Sequence, residues 1–369
     1  MPASTGRVQR MTQVLLAALA LGVLLIWDMV PSLGALARDG FLPAGDYTRD
    51  VPGWPGRPYI VHIPSGLKSS APAPIILVLH GGGGTAEKMD RLTCPGGDET
   101  SPSCLARMAN KKGFVVVYPN GTAREFLGRK LRTWNAGGGE QGWSCVSGLA
   151  CRNRVDDIAY FKALLNNLHA VVNVDDGRIY AVGISNGAAM VHRLACQMSD
   201  KITAIAAIAG GNQFSALQPC RPAKLVAVLG IHGTADPGWP IDGGEIKGGL
   251  WSRFIGATQG RLFSDRQTIA DWAARNGCSP RPITDNLPVL VRDGTSVTRS
   301  VYAGCEKGAD VVYYEIVGGG HTWPLGYQYF PVSMVGRTTQ NLSANEVMLE
   351  FFEKMPRHRA SLVGQKTPP

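Results

Sequence analysis

One serine stands where the backbone can lift a hydroxyl toward a substrate. Ser185 lies in Gly183-Ile184-Ser185-Asn186-Gly187, between the apolar run Ile179 to Val182 and the helix-compatible stretch Ala188 to Leu194. Glycine on both flanks permits a sharp, strained turn from strand to helix, with the serine at its apex. A hydroxyl is a weak nucleophile until a base takes its proton, so such a serine needs an imidazole and a carboxylate that orients it. Both occur further along, each after a strand-like run. Asp236 stands in His232-Gly233-Thr234-Ala235-Asp236-Pro237, and His321 in Gly318-Gly319-Gly320-His321-Thr322-Trp323-Pro324. The expected set is Ser185 as nucleophile, His321 as general base and Asp236 as its orienting acid. The remaining histidines fit less well, and His232, which precedes Asp236, reads as structural.

Attack on a carbonyl builds negative charge on its oxygen, which backbone N–H groups can meet. The glycine run His80-Gly81-Gly82-Gly83-Gly84-Thr85 follows the run Ile75 to Leu79. Gly83 or Gly84 is expected to act with the N–H of Asn186 as an oxyanion hole. The same glycines imitate a dinucleotide fingerprint, Gly81-x-Gly83-x-x-Ala86, but they do not follow the first strand, and no Gly-Lys-Ser/Thr comes after them. No cofactor and no metal are expected. The eight cysteines, Cys94, Cys104, Cys145, Cys151, Cys196, Cys220, Cys278 and Cys305, lack the short pairs of a zinc site. Flat aromatics on loops near these motifs, Trp134, Trp143, Trp239 and above all Trp323, are candidates to stack on a ring of the substrate.

These residues need a scaffold that gathers loop ends. Short apolar, often β-branched runs recur with room for helices between them, at Tyr59 to Ile63, Ile75 to Leu79, Phe114 to Tyr118, Ile179 to Val182, Ile205 to Ala209, Leu225 to Leu229 and Val311 to Val317. Several are apolar throughout, as in strands covered on both faces, so the expectation is an α/β fold with a mostly parallel central sheet and helices on both faces. Helical spacing marks Ile158 to Leu168, with Asp156 and Asp157 at its start, a helix directly after Ser185, and a last one over Ala344 to Lys354. The Gly-rich stretch Asp236 to Gly260 is long enough to form a lid or substrate wall.

At 369 residues, 44% hydrophobic and 18% charged, the chain can bury a large core, which excludes wholesale disorder. Arg7 and Arg10 precede the uncharged run Val14 to Trp27, and Ala35-Leu36-Ala37 resembles a signal-peptidase site. Residues 1–37 therefore read as an export signal, with an uncleaved anchor as the alternative, residues 38–56 as an extended segment, 57–355 as one catalytic domain and 356–369 as a basic tail. Secretion, or release into the periplasm, suits eight cysteines read as disulfides, the simplest framework joining sequential neighbours. The net charge is +9, and +8 without residues 1–37, but its Lys and Arg are scattered. A nucleic-acid footprint would be a concentrated stripe, so no nucleic acid is expected, and no membrane once the signal is removed.

With these motifs in view, the chain resembles the exported esterases grouped with polyhydroxybutyrate depolymerases, feruloyl esterases and acetylxylan esterases of carbohydrate esterase family one. The resemblance runs from about Arg57 to Lys354. Its segments are Gly56-Arg57-Pro58-Tyr59 with Val61-His62-Ile63-Pro64, the His80 to Thr85 loop, Gly113 to Gly121, Trp134-Asn135-Ala136-Gly137, Val155-Asp156-Asp157, the serine turn, His232 to Pro237 and Gly318 to Pro324. It implies an α/β-hydrolase fold and the same assignment of Ser185, Asp236 and His321. Glu140 and Gln141 stand where many relatives have a cysteine pair before Gly142-Trp143. Relatives that attack solid polymer append a binding domain, whereas this chain ends soon after its last expected helix. The expected substrates are thus small or oligomeric esters, polyhydroxybutyrate depolymerase-like, with feruloyl or acetylxylan esters as the alternative. A serine peptidase would share every catalytic residue, and a binding protein that kept the fold is the reading of another class.

Overall fold

The computed structural model describes residues 40–355 except 69, 127, 147 and 247–258. The chain divides into a unit of residues 1–43 and a unit of 44–369, and the second holds everything that follows. The expected export signal, the basic tail and part of the 236–260 stretch lie outside the described residues.

Apolar runs become the interior strands. The strands are β1 (Gly45–Arg49), β2 (Tyr59–Ile63), β3 (Ala73–Leu79), β4 (Val115–Pro119), the hairpin β5 (Thr122–Phe126) and β6 (Arg129–Thr133), β7 (Val174–Ile184), β8 (Ile202–Ile208), β9 (Ala227–Gly233), the short pair β10 (Gly244–Glu245) and β11 (Arg261–Leu262), β12 (Ile283–Asn286), β13 (Ser296–Tyr302) and β14 (Val311–Val317). Ten of them form one sheet in the order β1-β2-β4-β3-β7-β8-β9-β14-β13-β12. The central strands β4, β3, β7, β8, β9 and β14 run parallel, and antiparallel strands close both sides. All residues of β3, β4, β8 and β9 are buried, which requires cover on both faces. This is the α/β-hydrolase architecture. The outer strands β1, β12 and β13 alternate or stay partly exposed, so their apolar signal in the sequence is weak; of the expected 38–56 segment, Gly45–Arg49 forms the sheet edge outside Tyr59–Ile63.

The helices are α1 (Ala86–Leu92), α2 (Leu105–Lys111), α3 (Leu149–Arg152), α4 (Asp157–His169), α5 (Asn186–Gln197), α6 (Asp265–Arg275), α7 (Val332–Val335) and α8 (Ala344–Lys354). Side-chain oxygens cap several of them, satisfying N–H groups that a first turn leaves open: Asp156 accepts from Ala159, Ser264 from Gln267 and Ser343 from Glu346. On α4, Tyr160, Phe161, Leu164, Leu165 and Leu168 face inward. Tyr180 of β7 stacks on Phe352 of α8 with ring centroids 4.5 Å apart, locking the last helix to the sheet centre. The disulfides are Cys94–Cys104, Cys145–Cys151, Cys196–Cys220 and Cys278–Cys305, each between sequential neighbours.

Asp156 and Asp157, adjacent in sequence, do different work. Asp156 caps α4, while Asp157 turns inward to the Arg57 guanidinium at 2.7 Å and accepts the N–H of Asn135 at 2.6 Å. Arg57 also lies over the Tyr160 ring, 3.6 Å from its centroid, and donates to the carbonyl of Asn120. Both ion-pair partners are buried, so removing one strands the other's charge. Asp157→Ala is expected to lower unfolding free energy by about 3–5 kcal/mol, read as a shift in urea midpoint, with Arg57→Met/Asp157→Leu recovering most of the loss.

Candidate active site

The turn after β7 is set by crowding. Ser185 has φ 59° and ψ −122°, a left-handed conformation that an L-residue holds only under outside constraint. A Cβ at Gly183 would strike the backbone of Gly187, and one at Gly187 would strike the carbonyls of Leu79 and His80, so both must be glycine for α5 to start this close to β3. A Cβ on Gly210 would come 2.7 Å from the Ser185 carbonyl. Ser185 N–H donates to Ile208 O at 2.9 Å, tying the apex to β8. The residue stays partly exposed, and its hydroxyl has no hydrogen-bond partner among the described residues.

Asp236 follows β9, His321 follows β14 and Ser185 ends β7. These strands are parallel within one sheet, so all three residues stand at its C-terminal edge. His321 Nδ1 lies 2.7 Å from Asp236 Oδ2. Asp236 Oδ1 accepts the N–H of Gly238 at 2.7 Å and of Trp239 at 2.8 Å, so the carboxylate cannot swing away. Burial pushes the Asp236 carboxyl up, but His321 and His232 outweigh it and hold it far below the usual carboxylate range. With Asp236 ionised, the proton of the imidazole belongs on Nδ1, leaving Nε2 as the basic nitrogen. The His321 backbone is pinned by its N–H to Val335 O and by the Tyr329 hydroxyl on its carbonyl, 2.7 Å away. Gly238 leaves room for the ring: a Cβ there would lie 3.2 Å from His321 Cγ.

The glycine loop differs from expectation. Gly83 N–H donates to Arg132 O at 2.8 Å and Gly84 N–H to Gly81 O at 3.0 Å, so neither is open to an oxyanion. Gly84 also bridges to Arg132 of the β5–β6 hairpin, so the hairpin takes up the Gly83 donor and the loop's own turn takes up that of Gly84. Among the described residues no acceptor takes the N–H of Gly82, in this loop, or that of Asn186, the first residue of α5, which leaves both as candidate oxyanion donors. Gly81 faces the nucleophile turn, since a Cβ there would lie 3.3 Å from that of Ser185.

His80 holds this loop. Its Nδ1 is 2.8 Å from Gly81 O and its Nε2 3.0 Å from Gly121 N, so the ring is neutral, with the proton on Nδ1 and Nε2 accepting. Burial pushes its pKa down to about 3, which fixes that state across the working pH range. The Asn186 side chain, for which sequence offered no role, accepts from Trp134 N–H and donates to the carbonyls of Trp134 and Val146.

Three tryptophans expected at the substrate are inside the protein. Trp134, Trp239 and Trp323 are at most 1% exposed. Each indole N–H is satisfied internally, on His80 O, Phe263 O and Asn345 Oδ1 respectively. A buried indole removes a large apolar area from water, which outweighs leaving it for a ligand to cover. Trp323 pins the His321 loop to α8, and Trp134 packs on Phe161 with centroids 5.3 Å apart. Trp143 is different. It is only partly buried, 5.8 Å from Phe263 between centroids, with the exposed Arg261 guanidinium 4.5 Å over its ring. Together with Arg266 and Gln267 these residues line a cavity of about 590 Å³. Among the described residues no three His, Cys, Asp or Glu gather as a metal site.

The fold and this site define an α/β-hydrolase-type ester hydrolase, and known proteins agree. NocK of Nocardia uniformis subsp. tsuyamanensis, an esterase by name, is 30% identical over 281 residues, covering 75% of this chain and 73% of its own. Feruloyl esterase C of Emericella nidulans is 28% identical over 73% of this chain and 78% of its own. Feruloyl esterase B of Piromyces equi is 27% identical over 72% of this chain but 42% of its own length. The chain belongs to this esterase family and is a carboxylic ester hydrolase. No family model matches it. Among solved structures, acetyl xylan esterase from Aspergillus awamori is similar with TM-score 0.47 at 15% identity, over 84% of this chain and 99% of that one.

The tryptophan assignments separate by measurement. Trp134→Ala is expected to cost about 3–5 kcal/mol of stability, whereas Trp143→Ala at the cavity wall is expected to change it by less than about 1 kcal/mol, both read from urea unfolding.

Proposed function

We propose that the chain is an exported serine esterase that works through an acyl-enzyme. Ser185 Oγ attacks the ester carbonyl carbon as its proton passes to His321 Nε2. The N–H groups of Gly82 and Asn186 receive the oxyanion, and Asp236 stabilises the imidazolium that forms. Collapse expels the alcohol, which takes the proton from His321. A water activated by the same imidazole then hydrolyses the acyl-serine and frees the acid. The observation that carries this reading is the 2.7 Å His321–Asp236 pair at the same sheet edge as the strained Ser185.

Small or oligomeric esters of an aromatic acid, of the feruloyl type, are the substrates of this reading: several relatives are feruloyl esterases by name, and Trp143 and Phe263 present aromatic rings to a cavity. Oligomers of hydroxybutyrate offer no ring to those aromatics and are the second reading. Four disulfides support an oxidising compartment, in keeping with an export signal at residues 1–37. Among the described residues no helix is long and apolar enough to cross a membrane.

The test is acid release from p-nitrophenyl acetate, p-nitrophenyl butyrate, methyl ferulate and hydroxybutyrate oligomers. Ser185→Ala is expected to lower kcat by at least about 10⁴-fold on every substrate hydrolysed. Equal rates for the two proteins would remove Ser185 from the chemistry. Preference for hydroxybutyrate over ferulate would overturn the aromatic assignment alone. N-terminal sequencing of protein recovered outside the cytoplasm should begin near residue 38, and an intact Met1 would remove the cleaved signal.

A further inference from the structure

Behind Asp236 the structure holds a second imidazole. His232, in β9, has a fully buried side chain with acceptors at both ring nitrogens. Its Nε2 lies 2.8 Å from Trp239 O and 3.3 Å from Asp236 Oδ2. Its Nδ1 lies 3.0 Å from Asp265 Oδ2, a close ion-pair contact whose angle falls short of a hydrogen bond. Asp265 starts α6, is itself buried, and accepts the Tyr313 hydroxyl from β14 at 2.8 Å. A neutral imidazole has one lone pair and one N–H; here the lone pair would face a buried carboxylate, so the surroundings call for both nitrogens to carry protons.

We infer that His232 is a positioning residue for ester hydrolysis, a buried imidazolium shared by Asp236 and Asp265 that keeps Asp236 ionised and moderates the negative field that Asp236 exerts on His321.

The inference rests on the proposed role of Asp236 and His321. The other groups facing this pair are few. His192 of α5 feels the charge of Asp265 but is kept neutral, burial pushing its pKa down to about 4. Tyr313 is kept protonated, burial and the Asp265 charge both raising its pKa. Glu315, opposite His232 in register on β14, is taken up by Arg266 at 2.8 Å. The internal balance is therefore two carboxylates and one cation, plus the base. Burial pushes the pKa of His232 down, yet Asp265 and Asp236 outweigh it and lift it to about 10. Backbone donors from Gly238 and Trp239 already fix the orientation of Asp236 Oδ1. What His232 adds is charge. Without it, two buried carboxylates face the base uncompensated, and protonation of His321 becomes easier.

His232→Gln is thus expected to move the acid limb of the kcat/KM profile up by about one pH unit. It should also lower kcat about tenfold at neutral pH with KM little changed. His232→Gln/Asp265→Asn, which removes one charge of each sign, should return the limb to its original position; a packing role for His232 would not give that rescue. A folded His232→Gln with an unmoved limb overturns the inference. Imidazole ¹⁵N NMR on the unmodified full chain, assigned by through-bond correlation, tests the charge directly. Both His232 nitrogens should remain protonated from pH 6 to 9, and a single protonated nitrogen at pH 7 overturns the inference even if the variant cannot fold. This readout needs no turnover, so its failure is distinct from failure of the esterase mechanism.

Discussion

Everything at this site depends on how closely β3, β7 and α5 approach one another around Ser185. The left-handed backbone of that residue is sterically costly and persists because its neighbours leave no alternative. Gly183 and Gly187 are where a side chain would collide, and the Leu79 and His80 carbonyls form the opposing wall. The same approach that strains the serine brings the glycine loop beside it, so the nucleophile and the candidate oxyanion donors are placed by one packing event. Helix α5 then begins at Asn186 with an open N–H at the apex.

Around this centre the protein relies on buried polar groups that are held in one protonation state. His80 is neutral because it is buried and because one ring nitrogen accepts a backbone N–H. Asp236 is ionised because two backbone N–H groups and two imidazoles surround it. Arg57 and Asp157 form a third fixed pair that braces the loop carrying Trp134 and Asn135. Such groups are costly to bury alone and specify a single arrangement when paired. The aromatic residues do complementary work: Trp134, Trp239 and Trp323 fill the space under the loops, and the surface they vacate is left to Trp143 and Phe263.

Much of this was legible from residue order. The interior strands announced themselves because strands covered on both faces are apolar throughout, as Ile75 to Leu79 and Ile205 to Ile208 show. The strands β1, β12 and β13 were not legible, since strands at and next to the sheet edges mix polar and apolar residues and give no continuous apolar run. Pairing of the cysteines in sequence order matched the structure because each disulfide closes a local loop of 27 residues or fewer. The tryptophans were misread because proximity along the chain to Asp236 or His321 does not tell which way an indole points, and burial is settled by what packs over it.

By itself the sequence determined the α/β pattern, the turn that must carry Ser185, and the order in which an acid and a base follow it, because glycine spacing and apolar periodicity are local properties. Tertiary structure alone decided which glycine N–H groups remain open, since Arg132, some 50 residues away, occupies that of Gly83. It also decided that His232 lies between Asp236 and Asp265, because that contact depends on α6 starting beside β9, a packing that no residue spacing specifies.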